Sequence, residues 1–356
     1  MGALVQNIFE PQPSYSYSDI GLIPRRRSTI FSRKDVDTST DFFGIKLKLP
    51  VLVSPMDKVT GVDMAVAIRE LGGVAILPRS KNLSTDVQLM KDVRTWQVRL
   101  ALGSEVIMAI PATGDFLKRI QCLYEEYGVV HFCLDVANSF SEVVTGAMAA
   151  INQLTYRNKL VIITGNVASA EGYKDAALAN VDAVRVGLGN GSVCSTSVAT
   201  GVGIGQASAI RECVTTDLAG IKQVPQIIAD GGIKGAGDIV KALALGADFI
   251  MSGSLFVGCK ESPSAVVLHN GKKYKHYAGQ ASMVIKGKDE FVEGGDILVP
   301  YKGSVTKLWK TLDQGIRSGM SYMDCSKMED LIGLPQYNFV HLAHGAQRER
   351  GIHAGE

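Results

Sequence analysis

Eight short apolar runs, each nearly continuous and rich in branched side chains, set the tightest limit on how this chain folds. They are PVLVSPM (50–56), GVAILP (73–78), EVIMAIP (105–111), VVHFCLD (129–135), LVIITGN (160–166), DAVRVGLG (182–189), PQIIADGG (225–232) and ADFIMSGS (247–254). A strand with one face in water alternates apolar and polar residues. Runs without that alternation are the mark of parallel strands buried on both faces. Amphipathic helical patterns lie between them, such as GVDMAVAIREL (61–71), GDFLKRIQCLYEEY (114–127) and GAGDIVKALALG (235–246). Strands alternating with helices predict an α/β fold, either a (β/α)8 TIM barrel or an open doubly wound sheet. The count closes at eight, which favours the barrel, and barrels reach 356 residues as one domain.

A barrel carries its chemistry on the loops at the C-terminal ends of its strands. Here those ends read SPMDKVTG, DVANS, GNVAS, GLGNGSVCST, ADGGIKGAG and SGSLFVG, a ring of polar and glycine-rich loops that packing does not require. Two excursions break the rhythm, residues 187–208 after strand six and 259–303 after strand eight. The second is polar and lysine-rich, and reads as a hairpin plus a flap over the barrel mouth. The expected organisation is one catalytic domain over 1–337, with the flap at about 259–303, and a polar C-terminal tail over 338–356. No inserted regulatory module is expected, since ILPRSKNLSTDVQLMKDVRTW runs straight on after strand two.

The bulk properties exclude several classes. With 46% hydrophobic and 20% charged residues and a net charge of +2, neither nucleic acid nor an acidic membrane surface is indicated as a partner. The N-terminus lacks the layout of a signal peptide, and no apolar run reaches the roughly 18 residues of a membrane span. The cysteines are scattered without a CxxC pair, as expected of a reduced, cytoplasmic protein. Histidines do not cluster with cysteines or carboxylates, so no zinc or iron site is expected.

The loops after strands seven and eight are the usual phosphate site of this fold, where backbone N–H groups meet an anion. Gly231, Gly232, Gly253 and Ser254 fit that role, and Asp230 at the tip of strand seven suits ribose hydroxyls. The ligand class is a nucleotide monophosphate or a sugar phosphate. Cys194, in GSVCST, is flanked by glycine, serine and threonine rather than apolar residues. That makes it a candidate nucleophile, with Thr196 as a proton handler.

Several long motifs resemble the IMP dehydrogenase/GMP reductase family. They are YSDIGLIP, LPVLVSPMDKVTG, GLGNGSVCST, IIADGGIKGAGDIVKALALGADFIMSGSLFVG, YKHYAGQAS, VPYKGSV and IRSGMSYM, in order over roughly residues 15–330. The resemblance implies that Cys194 attacks C2 of a purine nucleotide monophosphate. It implies phosphate and nucleotide binding by Ser192, Gly232, Gly253, Ser254, Tyr277, Gly279, Gln280 and Ser282, with Asp230 on the ribose. Asp135, Ala137, Asn138, Asn166 and Gly187 would lie on the nicotinamide side. Gly189, Gly191 and Cys194 would offer carbonyls to a monovalent cation, K⁺. A homotetramer or larger assembly is also implied.

Two reactions share that chemistry. A GMP reductase expels ammonia from GMP and takes hydride from NADPH to release IMP. An IMP dehydrogenase gives hydride to NAD and then hydrolyses the adduct to XMP, which needs a water-activating base. In dehydrogenases that resemble this chain, an Arg-Tyr pair on the flap supplies it. No arginine occurs here between Arg211 and Arg317, whereas Glu293, ten residues before Gly303, stands where the resemblance implies a group that relays protons through Thr196. TGVGIGQASAI and LDVANSFSE also look reductase-like, while SPMDKVTGVDMA, Arg185 and IRSGMSYM look more like dehydrogenases. The expected activity is GMP reductase with NADPH; the alternative is an IMP dehydrogenase without the regulatory module, using NAD.

Overall fold

The structure, a computed structural model, describes residues 12–97, 105–191, 196–278 and 296–343. Its centre is the expected closed barrel of eight parallel strands. They are β1 (Val51–Val53), β2 (Val74–Leu77), β3 (Ile107–Ile110), β4 (His131–Leu134), β5 (Val161–Val167), β6 (Ala183–Val186), β7 (Gln226–Asp230) and β8 (Phe249–Ser252). Each pairs with the next in chain order, and β8 closes on β1 with Ile250 opposite Val51 and Ser252 opposite Val53.

Side chains alternate in and out of the barrel wall, dividing the core in two. Leu52, Val74, Ile76, Ile107, Ala109, Cys133, Ile163, Ala183, Ile228 and Met251 form the inner cluster. The outward set, including Val53, Leu77, Met108, Phe132, Val184 and Ile250, packs under the surrounding helices. The N-terminal end of the barrel is plugged by a hairpin, Thr40–Phe42 with Ile45–Leu47. Phe42 is fully buried and meets Phe249 edge-on, with ring centroids 4.9 Å apart. His131 Nε2 lies 3.2 Å from the Phe43 carbonyl at the same end.

Helix Val305–Tyr322 lies against helix Ala236–Leu245. A Cβ at Gly315 would overlap Ala236, and one at Gly319 would come within 2.8 Å of Val240, so two glycines one turn apart allow the close approach. Ile20–Leu22 pairs antiparallel with Phe339–His341, tying the start of the described chain to its end. After β8, Val266–His269, Lys272–Ala278 and Asp296–Pro300 form a three-stranded antiparallel sheet. Residues 279–295 of the excursion lie outside the described residues. No helix among the described residues is long and apolar enough to cross a membrane.

Candidate active site

The period of two along each strand dictates what caps the inner cluster. Two residues beyond Cys133, Ala183 and Ile228 the inward positions become Asp135, Arg185 and Asp230. These polar groups sit at the C-terminal end of the barrel, opposite the plug. Arg185 Nη1 donates to Asp135 Oδ1 at 2.7 Å, and Arg185 Nε donates to Asp230 Oδ2 at 2.9 Å. Asn166 Nδ2 donates to the same Asp230 oxygen at 3.1 Å. Burial opposes the charge on Arg185, but the Asp230 and Asp135 carboxylates and Cys133 outweigh it and hold its pKa well above the usual guanidinium range. Gly165 faces Arg185 across the β5–β6 pairing, where a Cβ would overlap the Arg185 side chain and backbone.

The predicted phosphate loops are neighbours. Gly231 and Gly232 have φ of +109° and +73°, a region that favours glycine. A Cβ on Gly231 would lie 3.5 Å from the Gly191 nitrogen, so the loops after β6 and β7 meet. Ser254 Oγ donates to the Ile233 carbonyl at 3.2 Å, which ties the loop after β8 to the loop after β7. A Cβ on Gly253 would come within 3.1 Å of Tyr277 Oη, which places the sheet after β8 against the same loop. Gly191, Gly231, Gly232, Gly253, Ser254 and Tyr277 are thus brought together.

Gly187 stands behind them with φ +141°, and a Cβ there would overlap the Asp230 carbonyl and the Gln206 amide. Gln206 itself is buried; its Nε2 donates to the Val186 carbonyl at 2.6 Å and its Oε1 accepts from Asn190 Nδ2 at 2.7 Å. Tyr17 packs its ring 3.4 Å from the Cβ position of Gly232. Lys302 Nζ donates to the Ser254 and Leu255 carbonyls at 2.9 and 2.8 Å, setting a positive charge beside the loop after β8. Gln206, Tyr17 and Lys302 were not singled out from sequence. Each lies inside a motif quoted above, YSDIGLIP, TGVGIGQASAI and VPYKGSV, but none of the three had a role assigned.

On the other side, Asp135 directly follows β4, and Asn138 is exposed in the same loop with its Oδ1 accepting from the Phe140 N–H at 3.1 Å. Ala137 is exposed beside it. Ser139 N donates to the Asn166 carbonyl at 2.9 Å, joining this loop to the end of β5. Arg79, in the loop after β2, donates to the Asp135 carbonyl at 3.0 Å. That loop is pinned by Arg119, 4% exposed, which donates to the Ser80 and Lys81 carbonyls and to buried Asp86.

Thr196 opens the short helix Thr196–Thr200. Ser192, Cys194, Gly279, Gln280, Ser282 and Glu293 lie outside the described residues. The five described cysteines are poor nucleophiles. Burial pushes Cys133 and Cys213 up to about 12 and Cys259 and Cys325 up to about 11, and desolvation also raises half-buried Cys122. Among the described residues no group of three or more His, Cys, Asp or Glu is placed to hold a metal ion. A monovalent cation held by carbonyls is a different case. Gly189, at φ +78°, has its carbonyl approached by Ser197 Oγ at 3.4 Å, a weak bond that leaves the oxygen available to a cation.

A closed parallel barrel with polar groups and adjoining glycine loops at one end defines the α/β-barrel class, whose members carry their chemistry at that end. The family model described as IMP dehydrogenase / GMP reductase domain matches residues 14–353, and the chain belongs to that family. The GMP reductase of Bacillus licheniformis is 33% identical over 91% of this chain and 94% of its own length. The GMP reductase of Onchocerca volvulus is 32% identical over 90% of each chain. The inosine-5'-monophosphate dehydrogenase of Borreliella burgdorferi is 28% identical over 95% of this chain and 96% of its own length. The family's members are oxidoreductases acting on purine nucleoside monophosphates.

Proposed function

We propose that this protein is a GMP reductase, converting GMP to IMP and ammonia with NADPH. The observation that carries the reading is the sequence between Arg211 and Arg317, which contains Glu293 and no arginine. A dehydrogenase must activate water to hydrolyse its adduct, and this flap lacks the arginine for that step. Relatives named GMP reductase at 32–33% identity support the same direction. The competing reading, an IMP dehydrogenase using NAD, is favoured by Arg185 and by the Borreliella relative, and requires another base such as Lys286 or Lys288.

In the proposed reaction the loops of Gly231, Gly232, Gly253 and Ser254 take the 5'-phosphate on backbone N–H groups. Tyr277 closes that subsite, Lys302 adds charge, and Asp230 accepts from ribose hydroxyls. Ser192, Gly279, Gln280 and Ser282 complete the nucleotide pocket. Cys194 adds as thiolate to C2 of the purine. A free thiol titrates near 8.5, so the loop must favour the anion. Thr196 and Glu293 pass a proton to the 2-amino group, and ammonia leaves as the C2–N bond breaks. A reduced nicotinamide held there would supply the hydride that C2 takes up, and the C2–sulfur bond would then break to return Cys194 as thiolate. Asp135, Ala137, Asn138, Asn166 and Gly187 would hold that cofactor's side of the site. Gly189 and Gly191, with Cys194, would offer carbonyls to K⁺, ordering the loop.

Glu293→Gln tests the assignment. Ammonia release in a single turnover should slow by about 10²-fold or more, while hydride transfer from the preformed adduct slows much less. Equal slowing of both steps would remove Glu293 from the relay.

A further inference from the structure

Asp135 and Asp230 stand on opposite sides of the mouth, at the ends of β4 and β7. Arg185, at the end of β6, holds both. Its Nη1 reaches Asp135 Oδ1, while Nε and Nη2 reach Asp230 Oδ2, each at 2.7–2.9 Å. The guanidinium is 10% exposed and each carboxylate 14%. Among the described residues, no donor reaches the second oxygen of either carboxylate. Each therefore has one oxygen fixed by the same fork and one left for a ligand donor.

We propose that Arg185 is a positioning residue that couples the two halves of the site, so that a purine nucleotide at Asp230 and a nicotinamide nucleotide at Asp135 tighten each other's binding. The inference rests on the reading of Asp230 and Asp135 given above. A guanidinium is planar, and its donors are fixed relative to one another. A ligand that fixes Asp230 therefore fixes the fork, and the fork fixes Asp135. The second ligand then meets an acceptor already oriented and spends less on ordering it. A lysine keeps the positive charge but is a single point on a flexible stem, unable to span β4 and β7 in one geometry.

The test is calorimetry with IMP and NADPH. Neither partner accepts hydride from the other, so the pair is inert whether the enzyme is a reductase or a dehydrogenase. With the native chain, saturating NADPH should tighten IMP by about tenfold, and IMP should tighten NADPH by the same factor. In Arg185→Lys that factor should fall to within about twofold of one. A variant that is merely loosened weakens each ligand and leaves their coupling intact, which separates positioning from stability. Arg185→Gln, which also removes the buried charge, serves if the lysine variant does not fold. A native coupling factor of one, or a factor unchanged in the variants, would overturn the proposal while leaving the reductase reading standing. Failure of IMP to bind the native chain at all would instead overturn the reading of the site, and this inference with it.

Discussion

At the scale of single residues, burial rules out four of the cysteines as nucleophiles. Cys133, Cys213, Cys259 and Cys325 are held as thiols with pKa values of about 11 to 12, so none supplies a thiolate near neutrality. The flanking residues of Cys194 already set it apart in sequence, because glycine, serine and threonine do not build an apolar pocket. Cys194→Ala should therefore abolish NADPH oxidation while GMP still binds within about threefold of the native affinity. Retained turnover, followed by nicotinamide absorbance, would refute the covalent route. Asp230 was equally legible, at the tip of a strand before two glycines. The bridge from Arg185 was not. Its partners are 50 and 45 residues away in the chain, and only barrel closure sets them around one guanidinium.

At the scale of elements, the eight barrel strands were readable because burial on both faces removes polar positions and leaves continuous apolar runs. The plug hairpin was not readable. Its strands, Thr40–Phe42 and Ile45–Leu47, are three residues each, too short to display a period. The pairing of Ile20–Leu22 with Phe339–His341 joins segments at opposite ends of the chain, and no local signal announces such a partner. Helix Val305–Tyr322 carries a heavier load than its exposed polar face suggests. Trp309 is 4% exposed and packs so tightly on Gly73 that any side chain there would overlap its ring. Trp309→Ala should cost about 3–5 kcal/mol, read as a lower urea midpoint with an unchanged slope. A loss below about 1 kcal/mol would show that the helix is not fastened there.

At the scale of the whole molecule, one end of the barrel is sealed by Phe42 and the other gathers charge, glycine loops and the excursion after β8. Among the described residues that asymmetry leaves one polar end, where the proposed nucleotide and nicotinamide would meet. Sequence located these loops at the strand ends, since polar loop residues there have no packing role. It did not assign a role to the supports behind the loops, Gln206, Tyr17 and Lys302, although each lies within a quoted motif, because bracing a backbone requires no particular residue pattern. The direction of the proposed reaction rests on the sequence between Arg211 and Arg317, and absorbance at the nicotinamide band decides it. Purified protein with K⁺ is given GMP and NADPH in one cuvette and IMP and NAD⁺ in another. Loss of NADPH matched by release of ammonia in the first, with no NADH in the second, is the predicted result; NADH and XMP from the second cuvette would contradict it and make the chain a dehydrogenase with a different base.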